Sequence, residues 1–374
     1  MDVVGMTKRV LVTGGAGFIG CHVVRMLTHR GYEVRVLDSL IDQVHGDVAA
    51  RNPILNEVEL IRADVRDLDR VTAALDGVDS VIHLAAEVGV GQSMYAIDRY
   101  VSVNDGGTAV LFQALIERPV ARVVVASSMS IYGEGLYRSA AGERMDDVTR
   151  PAQRDGGWDP VGPDGRPMTP MATPEWKRPN LASVYALTKY VQERLTLTVA
   201  PAYGMQGVAL RLFNVYGPGQ ALSNPYTGVL AIFASRLHNR QRPMVFEDGE
   251  QRRDFVHVED VARAFLLALE HPDAAGQVFN IGSGRDVSIL DVGAALAAAM
   301  GVPHLTPEVM GKARTGDIRH CFADISLARD VLGFAPRRSF ADSLGELAEW
   351  VQRQEALDRV HDARRELEQR GLVA

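Results

Sequence analysis

Apolar and polar positions along the chain repeat with two periods. Short β-branched runs at residues 9–13, 33–38, 58–62, 80–84, 122–127 and 207–213 read as strands buried on both faces. Between them, residues 21–30, 68–75 and 93–117 carry apolar positions at helical spacing. Strand–helix alternation of this kind predicts an α/β fold on a doubly wound parallel sheet. Residues 1–213 form that unit in this reading. Beyond Asn214 the pattern turns to short helices, turns and arginine-bearing loops, which predicts a smaller mixed α/β substrate-binding lobe over 214–345, partly interleaved with the first unit.

Two stretches break the rhythm. Residues 135–180 hold seven prolines, which remove backbone donors and end helices. A loop of that length is usually functional or disordered, so a lid or pocket wall is expected there, with a plain surface insertion as the alternative. The tail over 346–374 is charged and helical in pattern; it reads as a solvated surface helix, or else as a helix–helix dimer contact.

Composition narrows the class. The 374 residues are 47% hydrophobic and 23% charged, ordinary for a globular protein, with a net charge of −7. Nothing there gives the basic footprint of a nucleic-acid binder. Two cysteines make no disulfide framework, no apolar run approaches the ~18 residues of a membrane span, and the N-terminus does not read as a signal peptide. A cytoplasmic protein with no membrane partner and no metal site is expected.

The chemistry begins at Gly14, Gly17 and Gly20, between the first strand and its helix. In a Rossmann-type fold the first allows the tight turn, the second lets backbone approach a pyrophosphate, and the third lets the helix pack. Phe18 and Ile19 belong to the same turn. Asp38 ends the second strand, where a carboxylate accepts from ribose hydroxyls and repels a 2′-phosphate, so NAD is expected over NADP. Asp64-Val65 ends the third strand, near the adenine; a helix N-cap is the other reading of Asp64. Small residues in Leu84-Ala85-Ala86 let backbone pass close to the cofactor.

Tyr185 and Lys189 stand at i and i+4, on one face of a helix. A phenol is a poor base near neutrality, but a neighbouring cation favours its phenolate. Ser127, Ser128 and Ser130 follow a strand end; Ser128 is the expected donor to the oxygen that Tyr185 deprotonates, and Ser130 is second to it.

These segments resemble the extended short-chain dehydrogenase/reductases, specifically the nucleotide-sugar epimerases and dehydratases. The resemblance runs from residue 9 to about 320, through Gly14–Gly20, Asp64-Val65-Arg66-Asp67, His83-Leu84-Ala85-Ala86, Asn104, Tyr185–Lys189, Arg211–Gln220 and Ile281-Gly282-Ser283-Gly284. It implies that Asn104 positions the helix near the nicotinamide and that Phe213 lines the cofactor site. It implies that Asn214, Val229 and Phe246 meet the substrate, that Arg253 and Arg314 contact its diphosphate, and that the enzyme is a homodimer. Related 4,6-dehydratases carry an Asp-Glu pair after a Thr or Ser; after Ser128 this chain has Met129 and Ser130, so elimination is not expected. Asp38 argues against an NADPH-using reductase, and the presence of both Tyr185 and Lys189 argues against a non-catalytic NAD sensor.

What remains is 4-epimerisation. The segments at 88–95, 128–137 and 220–228, with the Pro-rich insert, look most like the branch interconverting dTDP-L-rhamnose and dTDP-6-deoxy-L-talose. UDP-hexose 4-epimerases are the nearest rivals. One departure is visible: that branch carries Cys-x-x-Cys in the insert, where this chain reads Gly162-Pro163-Asp164-Gly165.

Overall fold

The computed structural model describes residues 8–45, 52–148, 150, 157–224, 226, 228–354 and 360–373. Seven parallel strands form the central sheet: β1 (Arg9–Thr13), β2 (Glu33–Asp38), β3 (Glu59–Arg62), β4 (Ser80–His83), β5 (Arg122–Ser128), β6 (Gln206–Leu212) and β7 (Val278–Ile281). Their order is β7-β6-β5-β4-β1-β2-β3. The chain therefore winds one way from β1 to β3 and the other way from β4 onward. The β1/β4 seam is the switch point at which such sheets bind ligands, outside the carboxyl ends of the strands.

The strands are buried on both faces, except the edge strand β3, which is largely exposed. In β1, Val10 and Val12 join a cluster with Val24, Leu27, Phe265 and Phe279, while Leu11 joins Val71, Val81, Leu111 and Leu115 on the other side. The first cluster is covered by α1 (Phe18–His29) and α6 (Val258–Glu270), the second by α2 (Leu68–Ala74) and α3 (Gly107–Glu117). The long helix α4 (Val184–Ala202) lies over β5 and β6. A second core joins α5 (Val229–His238), α7 (Ile289–Ala299) and α8 (Phe340–Gln352) through Leu230, Phe233, Leu296, Leu347 and Val351.

The structure adds to four of these expectations. Strand β7 comes from the stretch read as a partly interleaved lobe and lies at the edge of the main sheet beside β6. The helix read over 93–117 is broken into two single turns, Val90–Ser93 and Ile97–Tyr100, then a wide π turn, Val101–Gly106, and only then α3. Parts of the insert fold: Leu136–Arg138 pairs antiparallel with Arg144–Met145 and with Thr169–Met171. Residues 149 and 151–156 of it lie outside the described set. The tail is two helices rather than one solvated helix, because Leu344, Leu347, Ala348 and Val351 bury one face of α8.

Candidate active site

The strand register lines up the cofactor candidates. Thr13 pairs with Leu37 on one side and His83 on the other, so Gly14, Asp38 and Leu84 follow together at the carboxyl edge. Gly14 has φ +70°, and a Cβ there would lie 2.7 Å from the Ala85 nitrogen. A Cβ on Gly20 would strike the backbone of Gly14 and Gly15. Gly17 caps α1 without any side-chain hydrogen bond, leaving the helix N–H groups and positive dipole end for an anion. Phe18 and Ile19 open α1. Buried Asp38 accepts from the Ala16 N–H at 3.1 Å and the Leu40 N–H at 2.9 Å. This turn, closed to side chains and ending at an acid, fits a pyrophosphate and a ribose.

Asp64 and Val65 follow β3. Asp64 is bound by Arg66, with 2.6 Å between Oδ2 and Nη2. The cap of α2 is Asp67, which accepts from the Arg70 N–H at 3.1 Å, so the capping role considered for Asp64 falls three residues later. Val65 is buried against Gly107 of α3. The Ala85 carbonyl lies 3.4 Å from Gln192 Nε2, and Ala86 leads to Glu87.

Helix α4 is started by Ser183, whose hydroxyl accepts from the Ala186 N–H. That start puts Tyr185 in the first turn and Lys189 one turn on. Burial pushes the Tyr185 phenol above its ordinary value, and the Ser128 hydroxyl facing it pulls the other way. Lys189 is buried; its Nζ donates to Gln192 Oε1 at 2.7 Å. Burial brings Lys189 down to about 7, against the pull of Asp105 and Glu193. Asp105 is itself raised by burial to about 6, with Lys189 opposing. Beneath them His83 is pushed down to about 3 by burial and by Lys189, and it is held between Thr13 and Thr108 at 2.7 and 2.9 Å.

Beside Tyr185 opens a cavity of about 390 Å³. Ser128, Ser130, Asn214, Val229, Phe246, Arg253 and Arg314 all line it, with Phe213. Ser130 donates to Ser128 Oγ at 2.9 Å. The Asn214 side-chain oxygen is buried with no partner among the described residues, as is that of Gln251, another lining residue. Arg314 bonds Asp317 at 2.9 Å and stacks over Phe246 at 4.5 Å. Arg253 reaches Asp317 at 3.6 Å and donates to the Arg252 and Arg319 carbonyls at 3.0 Å. Burial would raise the Asp317 carboxyl, but Arg314 and Arg253 overcome it and hold it below the carboxylate range. The two guanidinium groups thus converge on the Asp317 carboxylate; guanidinium is also the group that recognises phosphate oxygens.

Ser127 and Asn104 do not line this cavity either. Ser127 points to the opposite face of β5 and donates to Glu193 Oε2 at 2.7 Å, as strand alternation from Ser128 demands. Asn104 is fully buried and bonds only protein: its Oδ1 accepts the Glu87 N–H at 2.7 Å, and its Nδ2 donates to the Glu87 carbonyl and to Thr188 Oγ1. The insert, expected as a lid or wall, supplies none of the cavity's described lining; α9 (Val360–Gln369) and the residues after it do, through Ala363, Arg364, Leu367 and Leu372. Asp105, Gln251, Asp317 and Glu193 went unnoticed in the sequence, since an isolated acid or amide carries no pattern.

A doubly wound sheet with a glycine turn for a dinucleotide and a tyrosine–lysine helix beside a cavity that carries serines and arginines defines a nicotinamide-dependent enzyme. The sequence profile of the NAD dependent epimerase/dehydratase family matches residues 10–155 and 159–282. The chain is 37% identical over 354 residues to a dTDP-L-rhamnose 4-epimerase of Burkholderia thailandensis, covering 92% of this chain and 95% of that protein. Among solved structures, the UDP-glucose 4-epimerase of Thermotoga maritima with UDP-glucose superposes with a TM-score of 0.74 at 30% identity, covering 92% of this chain and 98% of that one. The UDP-glucose 4-epimerase of Thermus thermophilus complexed with NAD does so with a TM-score of 0.74 at 30% identity, covering 93% of this chain and 100% of that one. This chain belongs to the NAD-dependent epimerase/dehydratase family; it is an enzyme, and NAD is its cofactor.

Proposed function

We propose that the enzyme is a 4-epimerase of a nucleotide-activated sugar, with dTDP-L-rhamnose and dTDP-6-deoxy-L-talose as its substrate pair. The observation that carries this reading is a single cavity joining Tyr185 and Ser128 at one place to the converging Arg253 and Arg314 at another. A sugar diphosphate has its chemistry and its charge divided in the same way.

NAD, when bound along the carboxyl edge, supplies the acceptor and the donor for hydride. Tyr185 takes the proton of the C4 hydroxyl and later returns one to the same oxygen, while Ser128 donates a hydrogen bond to it. Lys189, four residues on, stabilises the phenolate through its charge; a cation close by is what a buried phenol needs to ionise near neutral pH. Asn214 and Gln251 offer acceptors to sugar hydroxyls. The 4-keto sugar then turns its other face to the cofactor before reduction. Met129 and Ser130 supply no acid for eliminating water.

The dTDP-deoxysugar pair is supported by the relative at 37% identity and by the segments that resemble that branch. A UDP-hexose substrate is the second reading, favoured by the likeness to a structure holding UDP-glucose. A homodimer and a cytoplasmic setting belong to the proposal through the family resemblance. Both cysteines, Cys21 and Cys321, are buried and free. NMR of dTDP-L-rhamnose with purified protein and no added NAD, with UDP-glucose in parallel, tests it. Conversion to the C4 epimer in the first tube supports the pair. Conversion only in the second keeps the mechanism and replaces the sugar; no change in either, with NAD added, overturns the reaction class.

A further inference from the structure

Helix α9 and the residues after it lie along the cavity, against the turn below Tyr185 at one end and against Arg314 at the other. At the sugar-chemistry end, Leu367 lies on Gly91, where a Cβ would meet the leucine Cδ1 at 3.4 Å. Gly91 sits in the single turn Val90–Ser93, and Ser93 Oγ accepts the Tyr185 N–H at 3.0 Å. At the arginine end, Thr315 N–H donates to the Leu372 carbonyl at 3.0 Å, and Val373 bridges Arg314.

Polar contacts hold the segment down along its flanks. Lys312 meets Glu368 at 3.4 Å, and Arg370 stacks over Tyr95 at 4.5 Å; within the helix, Arg364 meets the same Glu368 carboxylate at 2.8 Å. Tyr95 in turn bonds Tyr226, another lining residue, at 2.6 Å between hydroxyls. Between these flanks the side chains given to the cavity are apolar apart from Arg364: Ala363, Leu367 and Leu372 face it with Val88, Val90 and Met94. Ala363 and Leu367 are i and i+4, one stripe of an otherwise charged helix.

We propose that this C-terminal segment is the specificity wall of the sugar site, and that Leu367 selects against a hydroxyl on the face of the sugar turned toward it. The inference rests on reading the cavity as a nucleotide-sugar site. At Ala363 and Leu367 the wall gives a buried hydroxyl no partner, which weakens binding of a sugar with a hydroxyl turned there; discrimination of this kind reaches roughly 10–100-fold. A sugar that turns a C5 methyl toward Leu367 is favoured over one that turns a hydroxymethyl there.

The test compares dTDP-L-rhamnose with dTDP-L-mannose, which differ by that single hydroxyl. Calorimetry gives both affinities for the wild type and for Leu367→Ser, each loaded with NAD. The wild type is expected to prefer the deoxysugar, and Leu367→Ser to shrink the preference about tenfold while the affinities for dTDP alone and for NAD stay put. Ala363→Ser, a smaller change on the same stripe, serves if Leu367→Ser melts early. Equal binding of the two sugars by the wild type, or an unaltered ratio in the variants, overturns the proposal. Turnover is read separately: a wild type that epimerises neither sugar while the binding ratio still moves on substitution sinks the epimerase reading and leaves the wall standing.

Discussion

Asn104 Nδ2 donates to Thr188 Oγ1 at 2.9 Å, tying the wide turn Val101–Gly106 to the residue just before Lys189. The same amide brackets Glu87, accepting from its N–H and donating to its carbonyl at 3.1 Å. One buried side chain therefore fixes the loop after β4 to the helix that carries Tyr185 and Lys189. The π turn is the backbone's means of turning that side chain inward, a common use of such turns at functional sites.

Asn104→Ala leaves the Glu87 N–H without its partner and frees α4 by one bond. A loss of about 1–3 kcal/mol in stability is expected, the cost of an unsatisfied buried donor. As a positioning residue, Asn104 should act on kcat more than on KM, and the variant should still retain NAD. Steady-state kinetics beside denaturant melts checks this; a rise in KM with kcat intact would assign Asn104 to substrate binding.

Lys189 links activity to the pH dependence of folding. Its folded value is lowered by burial to about 7 from an ordinary 10.5. Between those values the unfolded chain binds more protons than the folded one, so stability rises with pH across that window. Below about 7 the full cost of burying the ammonium is present. Lys189→Met removes it: the NAD-free variant should melt higher at neutral pH, by about 2–4 °C for each kcal/mol recovered. Its melting temperature should also change less between about pH 7 and 10. Turnover should fall by roughly 10²–10⁴. An unchanged pH slope in thermal melts would show that the ammonium is not desolvated.

Asp38→Ala removes the acceptor at the end of β2. The affinity for NAD should drop about tenfold, equivalent to ~1.4 kcal/mol, as ribose hydrogen bonds are lost. The Ala16 and Leu40 N–H groups also lose their acceptor, so the apo protein should melt lower. Calorimetry with NAD and with NADP separates the two effects. Unaltered NAD affinity would place the ribose elsewhere.

Most of the strands were legible because burial on both faces writes a continuous apolar run, and the glycine turn and tyrosine–lysine pair because their spacing is local. Strand β7 was not: Asn280 interrupts its four residues, and that amide is buried only because Tyr132, Thr173 and Asp324 reach it from distant segments. Asp105 and Gln251 escaped for the same reason, since what sets them apart is an unpartnered buried oxygen. The wall helix has too few apolar positions among its charges to announce which face is covered.

Glu193 and Arg211 form a buried pair behind the site, with nitrogen–oxygen distances of 2.7 and 2.9 Å. Arg211 also donates to the Tyr132 hydroxyl and the Glu175 carbonyl, and Glu193 accepts from Ser127. Breaking such a pair strands a charge, whereas removing both partners does not. Glu193→Leu should therefore cost about 3–5 kcal/mol, and the double variant Glu193→Leu/Arg211→Met less than that. Ser127 precedes Ser128 on β5, so slack there should reach Ser128 and lower kcat while NAD binding holds. Urea unfolding of both single variants and the double variant decides it. If the double variant is the least stable of the three, the pair contributes net stability to the sheet; if it recovers stability but not kcat, its place is to hold Ser128 against Tyr185.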